Sequence, residues 1–230
     1  MTIPHVAFRS SDSLHQKTDG FICRMQDGAT RPEPQELEAI MSLFIDEALT
    51  AFLTRAAEAA RLSPGMMKVV GMTTQTINKT THLVVSRSVK KLDLQQNRDA
   101  ASYMDQVRQP AAGEDFWYVA FPVDEDMAAL GKSLPQLCEE NPEKARKELV
   151  RYLLALTDQA IEWYFERPMA LLQFGPVLRK VASMGVETTR KASRSLINTL
   201  VPKLNAEQLK ASAEFQASQL IALPLSLIHI

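Results

Sequence analysis

Apolar residues recur with helical spacing along most of the chain, and we expect a mainly α-helical protein. After Pro34, and again after Asn141, they return about every three or four positions. The predicted buried faces of these two helices are Leu37, Ile40, Met41, Phe44, Ala48 and Phe52 in the first, and Leu149, Tyr152, Leu153, Leu156, Ala160 and Tyr164 in the second. Asn141 followed by Pro142 is typical of a helix start, because an amide side chain caps free N–H groups and proline fits the first helical position.

Two further helices and a strand are predicted to accompany each of these segments. Pro64 and Pro176 precede long helices over residues 65–92 and 177–204. A third helix starts at Asp93 and at Asn205, where a Gln three residues later favours reciprocal capping. Aromatic and β-branched residues at 5–8 and 116–122 predict short strands, which could form one small sheet.

The two sets of elements also match in sequence, which predicts an internal duplication of about three helices per copy. An offset of 112 residues places Asp46 on Asp158, and fourteen of the 61 aligned pairs over residues 36–96 and 148–208 are then identical. For ordinary composition, roughly four identities are expected by chance. The identical pairs include proline, lysine and arginine, which apolar periodicity alone does not explain. Two such copies often pack about a pseudo-two-fold axis.

These boundaries divide the chain into a first copy at residues 1–108, a linker at 109–115, a second copy at 116–222 and a tail at 223–230. The linker contains the proline, glycine and small residues typical of an exposed connection. The last six residues, Leu225 to Ile230, correspond to the translation of a transposon-end adapter used for sequencing libraries. We therefore expect this tail to be an artefact, and His229 is left out of every site hypothesis.

The near-neutral net charge of −1 conceals a strong segregation of charge. Residues 59–92 contain six Lys or Arg residues and no acid, and residues 171–204 contain six with only Glu187 opposing them. Lys68, Lys79 and Lys90 are eleven residues apart, close to three helical turns, and should form one stripe. The resulting candidates for binding an anionic surface are Lys68, Lys79, Lys90, Lys91, Lys180, Arg190, Lys191 and Arg194.

Three interpretations of the basic helices stay open. They could pack on the acidic first helices of their own copies, with the lysines solvated or ion-paired. They could bind an anionic lipid or storage-granule surface, since an eleven-residue pattern of Lys, Thr, Val and Gly is similar in texture to lipid-surface helices. Nucleic acid is less favoured, because no aromatic residues are interleaved with the basic ones.

Motifs for catalysis, cofactors or metals are missing from the sequence. It contains no GxSxG, Walker A, GxGxxG or CxxC pattern, and His5, His15 and His82 lack metal-ligand spacing. The acidic run at 124–126 is typical of a helix N-terminus, with a metal site as the alternative. We therefore expect no enzymatic activity, cofactor or metal.

Asp46 and Asp158 are the most unusual acids, because each lies midway along an otherwise apolar helix. They could reach solvent at a helix boundary, they could pair with Lys68 or Lys180 on the next helix, or they could meet each other between the two copies. No segment is long and apolar enough to cross a bilayer, and no secretory signal is recognisable at the N-terminus. Two cysteines far apart in sequence suggest inert thiols. We expect a cytoplasmic protein-interaction or assembly factor, with lipid or granule binding as the alternative; the protein partner and the oligomeric state stay open.

Overall fold

The chain begins with a strand and continues through helices joined by short turns. The computed structural model describes residues 2–224. In the first half, residues 2–110, the elements are β1 (Thr2–Arg9), α1 (Asp12–Gln26), α2 (Pro34–Leu49), α3 (Arg55–Ala59), α4 (Pro64–Ser88), α5 (Leu94–Val107) and β2 (Arg108–Pro110). A π turn over Thr50–Thr54 makes α2 and α3 one continuous helix, and a 3-10 turn over Val89–Lys91 ends α4.

The second half, residues 117–224, has the same order of elements. These are β3 (Trp117–Pro122), α6 (Glu125–Glu140), α7 (Pro142–Ile161), α8 (Arg167–Leu171), α9 (Pro176–Leu200), α10 (Ala206–Ser218) and β4 (Leu220–Pro224). A π turn over Glu162–Glu166 joins α7 to α8, and a 3-10 turn over Val201–Lys203 ends α9. The predicted mainly helical class with a small β element is confirmed.

The four strands form one antiparallel sheet in the order β2-β3-β1-β4. In the central pair, Ala7 of β1 lies opposite Ala120 of β3. Each outer strand pairs with a strand of the other half, because β4 bonds to β1 and β2 bonds to β3. The predicted sheet is therefore shared by both halves, and neither half contains all of it.

One apolar core connects the sheet to the helices of both halves. Val6, Phe8 and Phe121 belong to this core, whereas Ala7 and Ala120 belong to a small cluster on the other face of the sheet. The division follows from strand geometry, because successive residues point to opposite faces.

The predicted helix starts are confirmed by their caps. Asn141 accepts a hydrogen bond from the Lys144 N–H, with Pro142 at the first helical position. Complete capping boxes are present at the starts of α5 and α10, where Gln96 and Gln208 reach back to the capping residues. Asp124 likewise accepts from the backbone N–H of Met127 at 2.6 Å, so the acidic run at 124–126 begins α6 as a cap.

The prediction of about three helices per copy is wrong, because it misses α1 and α6. With α2–α3 and α7–α8 each counted as one helix, every half has four. The apolar pattern of α1 is weakened by Thr18 at a buried position and by Gly20, and α6 carries Pro135 inside the helix. Each of these residues lowers the helical signal of the sequence.

Two predicted boundaries also differ from the structure. The linker predicted over residues 109–115 begins inside β2, which spans Arg108–Pro110. Leu223 and Pro224, assigned to the artefactual tail, lie in β4 opposite Ile3 and Thr2. Residues 225–230, the adapter-like part of that tail, lie outside the described residues.

The longest helices, α4 and α9, pack against each other in antiparallel orientation. Val70, early in α4, shares an apolar cluster with Leu196 and Leu200, late in α9. Further along α4, Val84 lies so close to Gly185 of α9 that a Cβ atom on the glycine would be 2.7 Å from Val84 Cγ2. A glycine at this point allows the two backbones to approach closely.

We predict that Gly185→Ala is less stable than Gly71→Ala by roughly 1–3 kcal/mol. Both glycines are inside long helices, so both changes gain similar helix propensity. The added methyl at Gly71 meets open space, whereas at Gly185 it meets the stiff side chain of Val84. Urea unfolding of the two variants measures the difference, and equal free energies of unfolding would show that the close approach is unimportant.

Candidate functional site

The exposed sides of α4 and α9 form the candidate site, which we call the outer face. Both helices point their buried sides toward the protein interior, and they lie next to each other. The outer face consists of Lys68, Val69, Met72, Thr76, Lys79 and Leu83 of α4, Lys90 of the 3-10 turn that follows it, and Val177, Lys180, Met184, Thr188 and Lys191 of α9. It combines ammonium groups with apolar side chains along two adjacent helices.

The buried side of each helix explains why the sequence is rich in valine, threonine and small residues. Val70, Ile77 and Val85 of α4 are buried. Threonine is tolerated there because its hydroxyl bonds to the preceding turn: Thr81 donates to the Ile77 carbonyl, and Thr189 donates to the Gly185 carbonyl.

The apolar side chains of the outer face are unusually exposed. Met72 and Met184 are 61% and 63% exposed, and Val177 is 70% exposed. Val69 is also exposed, although its neighbour Val70 is buried. Exposed methionines are common at adaptable binding surfaces.

Asp46 of α2 and Asp158 of α7 contact the sides of α4 and α9, next to the outer face. Each aspartate bonds within its own half. Asp46 accepts from Asn78 and contacts His82 at 3.1 Å. Asp158 pairs with Arg190 and Arg194. The lysine partners proposed from the sequence, Lys68 and Lys180, are therefore wrong, and the described residues show no contact between the two aspartates.

The same geometry divides the predicted anionic-surface candidates into two groups. Arg190 and Arg194 are neutralised by Asp158, and Arg190 also donates to Glu166 at 2.9 Å. These hydrogen bonds, with that to Glu166 the strongest cause, raise the pKa of the Arg190 guanidinium. Arg190 and Arg194 act as structural cations on the flank of α9.

The lysines of the outer face are mostly free to meet a ligand. Lys90 lies 3.6 Å from Glu38, and Lys191 lies 3.1 Å from Glu187, both as solvent-exposed pairs. Such pairs are weak and exchange readily with other anions. Lys68, Lys79, Lys91 and Lys180 are exposed and form no ion pair with any residue between 2 and 224.

Four positions of the outer face carry the same residue in both halves, at the offset of 112. These are Lys68 and Lys180, Met72 and Met184, Thr76 and Thr188, and Lys79 and Lys191. The two threonines also make the same bond, because each donates to the carbonyl of the methionine four residues earlier. Packing in the core does not require exposed methionine or lysine.

The metal-binding side chains of the described residues do not come together in a metal site. Between residues 2 and 224, no group of three or more His, Cys, Asp or Glu side chains is positioned to hold a metal ion. Burial raises the pKa of the Cys138 thiol, which lowers its reactivity.

No protein-family model matches the chain, and comparison with curated proteins and with solved structures gives no match either. The helices between residues 2 and 224 also lack the combined length and apolarity needed to cross a bilayer.

The sequence analysis finds the lysines of the outer face but misses its methionines. Met72 breaks the amphipathic pattern of α4, and without a structure this looks like an imperfection. The signal that could have identified it is its identity with Met184, since both are exposed in the structure.

We predict that Asp158→Asn lowers the free energy of unfolding by about 0.5–1 kcal/mol, since Arg194 loses its acidic partner while Arg190 keeps only Glu166. Asp46→Asn should cost less, because Asp46 bonds to a histidine and an amide and to no lysine or arginine among the described residues. The Asp158 effect should also shrink in about 1 M salt, which screens ion pairs. Thermal or urea unfolding at low and high salt measures both variants, and equal, salt-independent losses would contradict the assignment.

Proposed function

We propose that the protein binds a surface of anionic lipid through the outer face, without catalysis. The observation that supports this most is the set of two lysines, one methionine and one threonine that occurs in both α4 and α9, with every lysine and methionine exposed. Lysine suits phosphate headgroups, while methionine, valine and leucine suit the start of the acyl region. A lipid-coated storage granule presents the same chemistry as a membrane.

The shape of the outer face suits a flat surface. Each helix has 25 residues, and is therefore about 38 Å long, so the pair offers an elongated platform rather than a single contact point. Lysine can extend its ammonium group toward headgroups while its aliphatic stem stays beside an apolar neighbour such as Met72 or Leu83.

The distribution of charge favours an anionic ligand. Residues 59–92 contain no acid, so nothing in α4 opposes Lys68 or Lys79. In α9 the single acid is Glu187, which is itself exposed beside Lys191. Asp158 pairs with Arg190 and Arg194 beside the outer face, and of the outer-face lysines only Lys90 and Lys191 have an acidic partner among the described residues.

The alternative of a protein partner is less well supported by this composition, because lysine is depleted in protein interfaces. Nucleic acid would be expected to meet aromatic side chains for stacking, and the outer face contains none. Protein interaction or assembly remains the function to test if lipid binding fails.

We further infer that the two halves arose by duplication of one unit. The order of elements is the same in both, and Asp46 and Asp158 each bond to residues 32 and 36 positions later. Both turns before the long helices place one residue, Arg61 or Gln173, at a φ of 48°. These two residues are separated by the same 112 positions as the matched lysines.

Co-sedimentation with vesicles tests the proposed function. We expect binding to vesicles that contain phosphatidylglycerol, weaker binding in high salt, and little binding to pure phosphatidylcholine. Lys68→Glu combined with Lys180→Glu should lower the partition coefficient at least about ten-fold. Met72→Ser combined with Met184→Ser should lower it several-fold even in high salt, because the apolar contribution is lost.

A matched control uses exposed lysines away from the outer face. Lys132→Glu combined with Lys147→Glu makes the same change in net charge on α6 and α7. Equal losses in the two double variants would mean that only net charge matters, and the outer face would not be the binding site. Absence of vesicle binding, or a salt-sensitive shift on DNA without vesicle binding, would overturn the lipid proposal.

A further inference from the structure

A cavity of about 150 Å³ lies between the two halves, on the inner side of α4. Its walls come from α1, α2, α4 and α5 of the first half, and from the π turn, α8 and α9 of the second half. The lining is almost entirely apolar. Leu171, which is 43% exposed, is part of the wall, so the cavity reaches the surface beside α8.

Two hydroxyl groups in this wall are buried without a hydrogen-bond partner. Tyr164 is 7% exposed and Ser88 is 3% exposed, and neither side-chain oxygen has a partner among the described residues. Buried hydroxyl groups in proteins nearly always have a partner, since leaving one unpaired costs free energy. The neighbouring Tyr103 illustrates the normal case, because its hydroxyl donates to the Trp163 carbonyl.

Tyr164 is held in place by its surroundings. Its ring makes edge contacts with Phe44 and Phe121, with centroids 4.9 Å and 5.3 Å away. It is part of the π turn Glu162–Glu166, and such turns often occur at functional sites. Burial raises the pKa of the Tyr164 hydroxyl, which therefore stays protonated and able to donate.

The other half of the protein provides a natural comparison. A second apolar cavity, of about 180 Å³, is lined by α7, the π turn, α9 and α10 of the second half and by α2, the π turn, α3 and α4 of the first. At the offset of 112, the counterpart of Tyr164 is Phe52, which lines the second cavity only, whereas Tyr164 lies in the wall of both cavities. In the first half a phenyl ring, without a hydroxyl group, therefore occupies the position equivalent to Tyr164. Packing at this position does not need the hydroxyl.

We propose that the first cavity binds a small, uncharged and mostly apolar molecule whose hydroxyl or carbonyl oxygen accepts a hydrogen bond from Tyr164. A cavity of this size accommodates a benzene-sized molecule. Ser88 provides a second hydrogen-bonding group in the same wall. This site is separate from the outer face and does not depend on lipid binding.

The electrostatics of the wall indicate an uncharged ligand. Arg108 lines the cavity, and its two terminal nitrogens pair with Asp19 at 3.0 Å and with Asp105 at 3.3 Å, while its buried Nε–H has no partner among the described residues. An anionic ligand would therefore meet no uncompensated positive charge there, and it would lose its hydration in an apolar space.

Phenol and toluene test the proposal, because they have nearly the same shape and differ in one hydroxyl. Binding is followed by the NMR signals of 13C-labelled methionine methyl groups. Met41, Met104 and Met169 line the first cavity, no methionine lines the second, and the exposed Met72 and Met184 serve as internal controls. The dissociation constants obtained from the signals of Met41, Met104 and Met169 therefore describe binding in the first cavity.

We expect saturable shifts of Met41, Met104 and Met169, with phenol binding about five-fold or more tightly than toluene, as one hydrogen bond allows. Tyr164→Phe, which introduces the residue found at position 52, should remove most of this preference while toluene still binds. Ala100→Leu, which places a larger side chain in the wall, should weaken both ligands.

Three results would overturn the proposal. The first is the absence of saturable shifts at the three methionines with either compound. The second is equal affinity for phenol and toluene in the unchanged protein, as expected if water alone satisfies Tyr164. The third is a phenol preference that survives Tyr164→Phe.

Discussion

The antiparallel contact between α4 and α9 is the constraint on which the rest of the structure depends. The close approach at Gly185 fixes the distance between the two long helices. Their outer faces consequently lie side by side, and their inner faces cover one common core. The sheet imposes the same arrangement at the other end of the core, where β1 and β3 pair at Ala7 and Ala120. Because each half completes its sheet with a strand of the other, the two halves interlock and are not simply stacked domains.

The turns before α4 and α9 also connect the two halves, because each accepts a hydrogen bond from the other half. Gln96 caps α5 and also donates its side-chain N–H to the carbonyl of Leu172, while Gln208 caps α10 and donates to the carbonyl of Arg61. One amide therefore satisfies a local helix end with its oxygen and a turn of the other half with its nitrogen. Glutamine suits both tasks, since glutamate would lack the donor and a shorter asparagine would have less reach. Capping alone accounts for only the first of these contacts.

Local physical signals made much of the fold predictable from the sequence. Proline, capping pairs and apolar spacing indicate α2, α4, α5 and their counterparts, and aromatic runs indicate β1 and β3. The signals fail where a residue serves a tertiary purpose. Gly131 in α6 weakens the helical pattern, yet a side chain there would lie 2.6 Å from Leu220 and 2.7 Å from the ring of Tyr152. The partners of Asp46 and Asp158 were also unpredictable, because they depend on how α4 and α9 rotate about their axes. The cavities had no sequence signal beyond the contrast between Phe52 and Tyr164.

The residues that are identical in the two halves fall into two groups, those whose identity packing explains and those whose identity it does not explain. Val89 and Val201 are buried, and Gln96 and Gln208 cap helices and bond across the halves, so packing explains them. Lys68, Met72 and their counterparts are exposed, and packing gives no reason for their identity. The outer face and the first cavity are also on opposite sides of α4, because Lys79 is exposed while Thr81, Val85 and Ser88 line the cavity. A molecule in the cavity can therefore influence the outer face only by moving α4 or α9, which both line the cavity, and the close contact between the two helices at Gly185 restricts that movement.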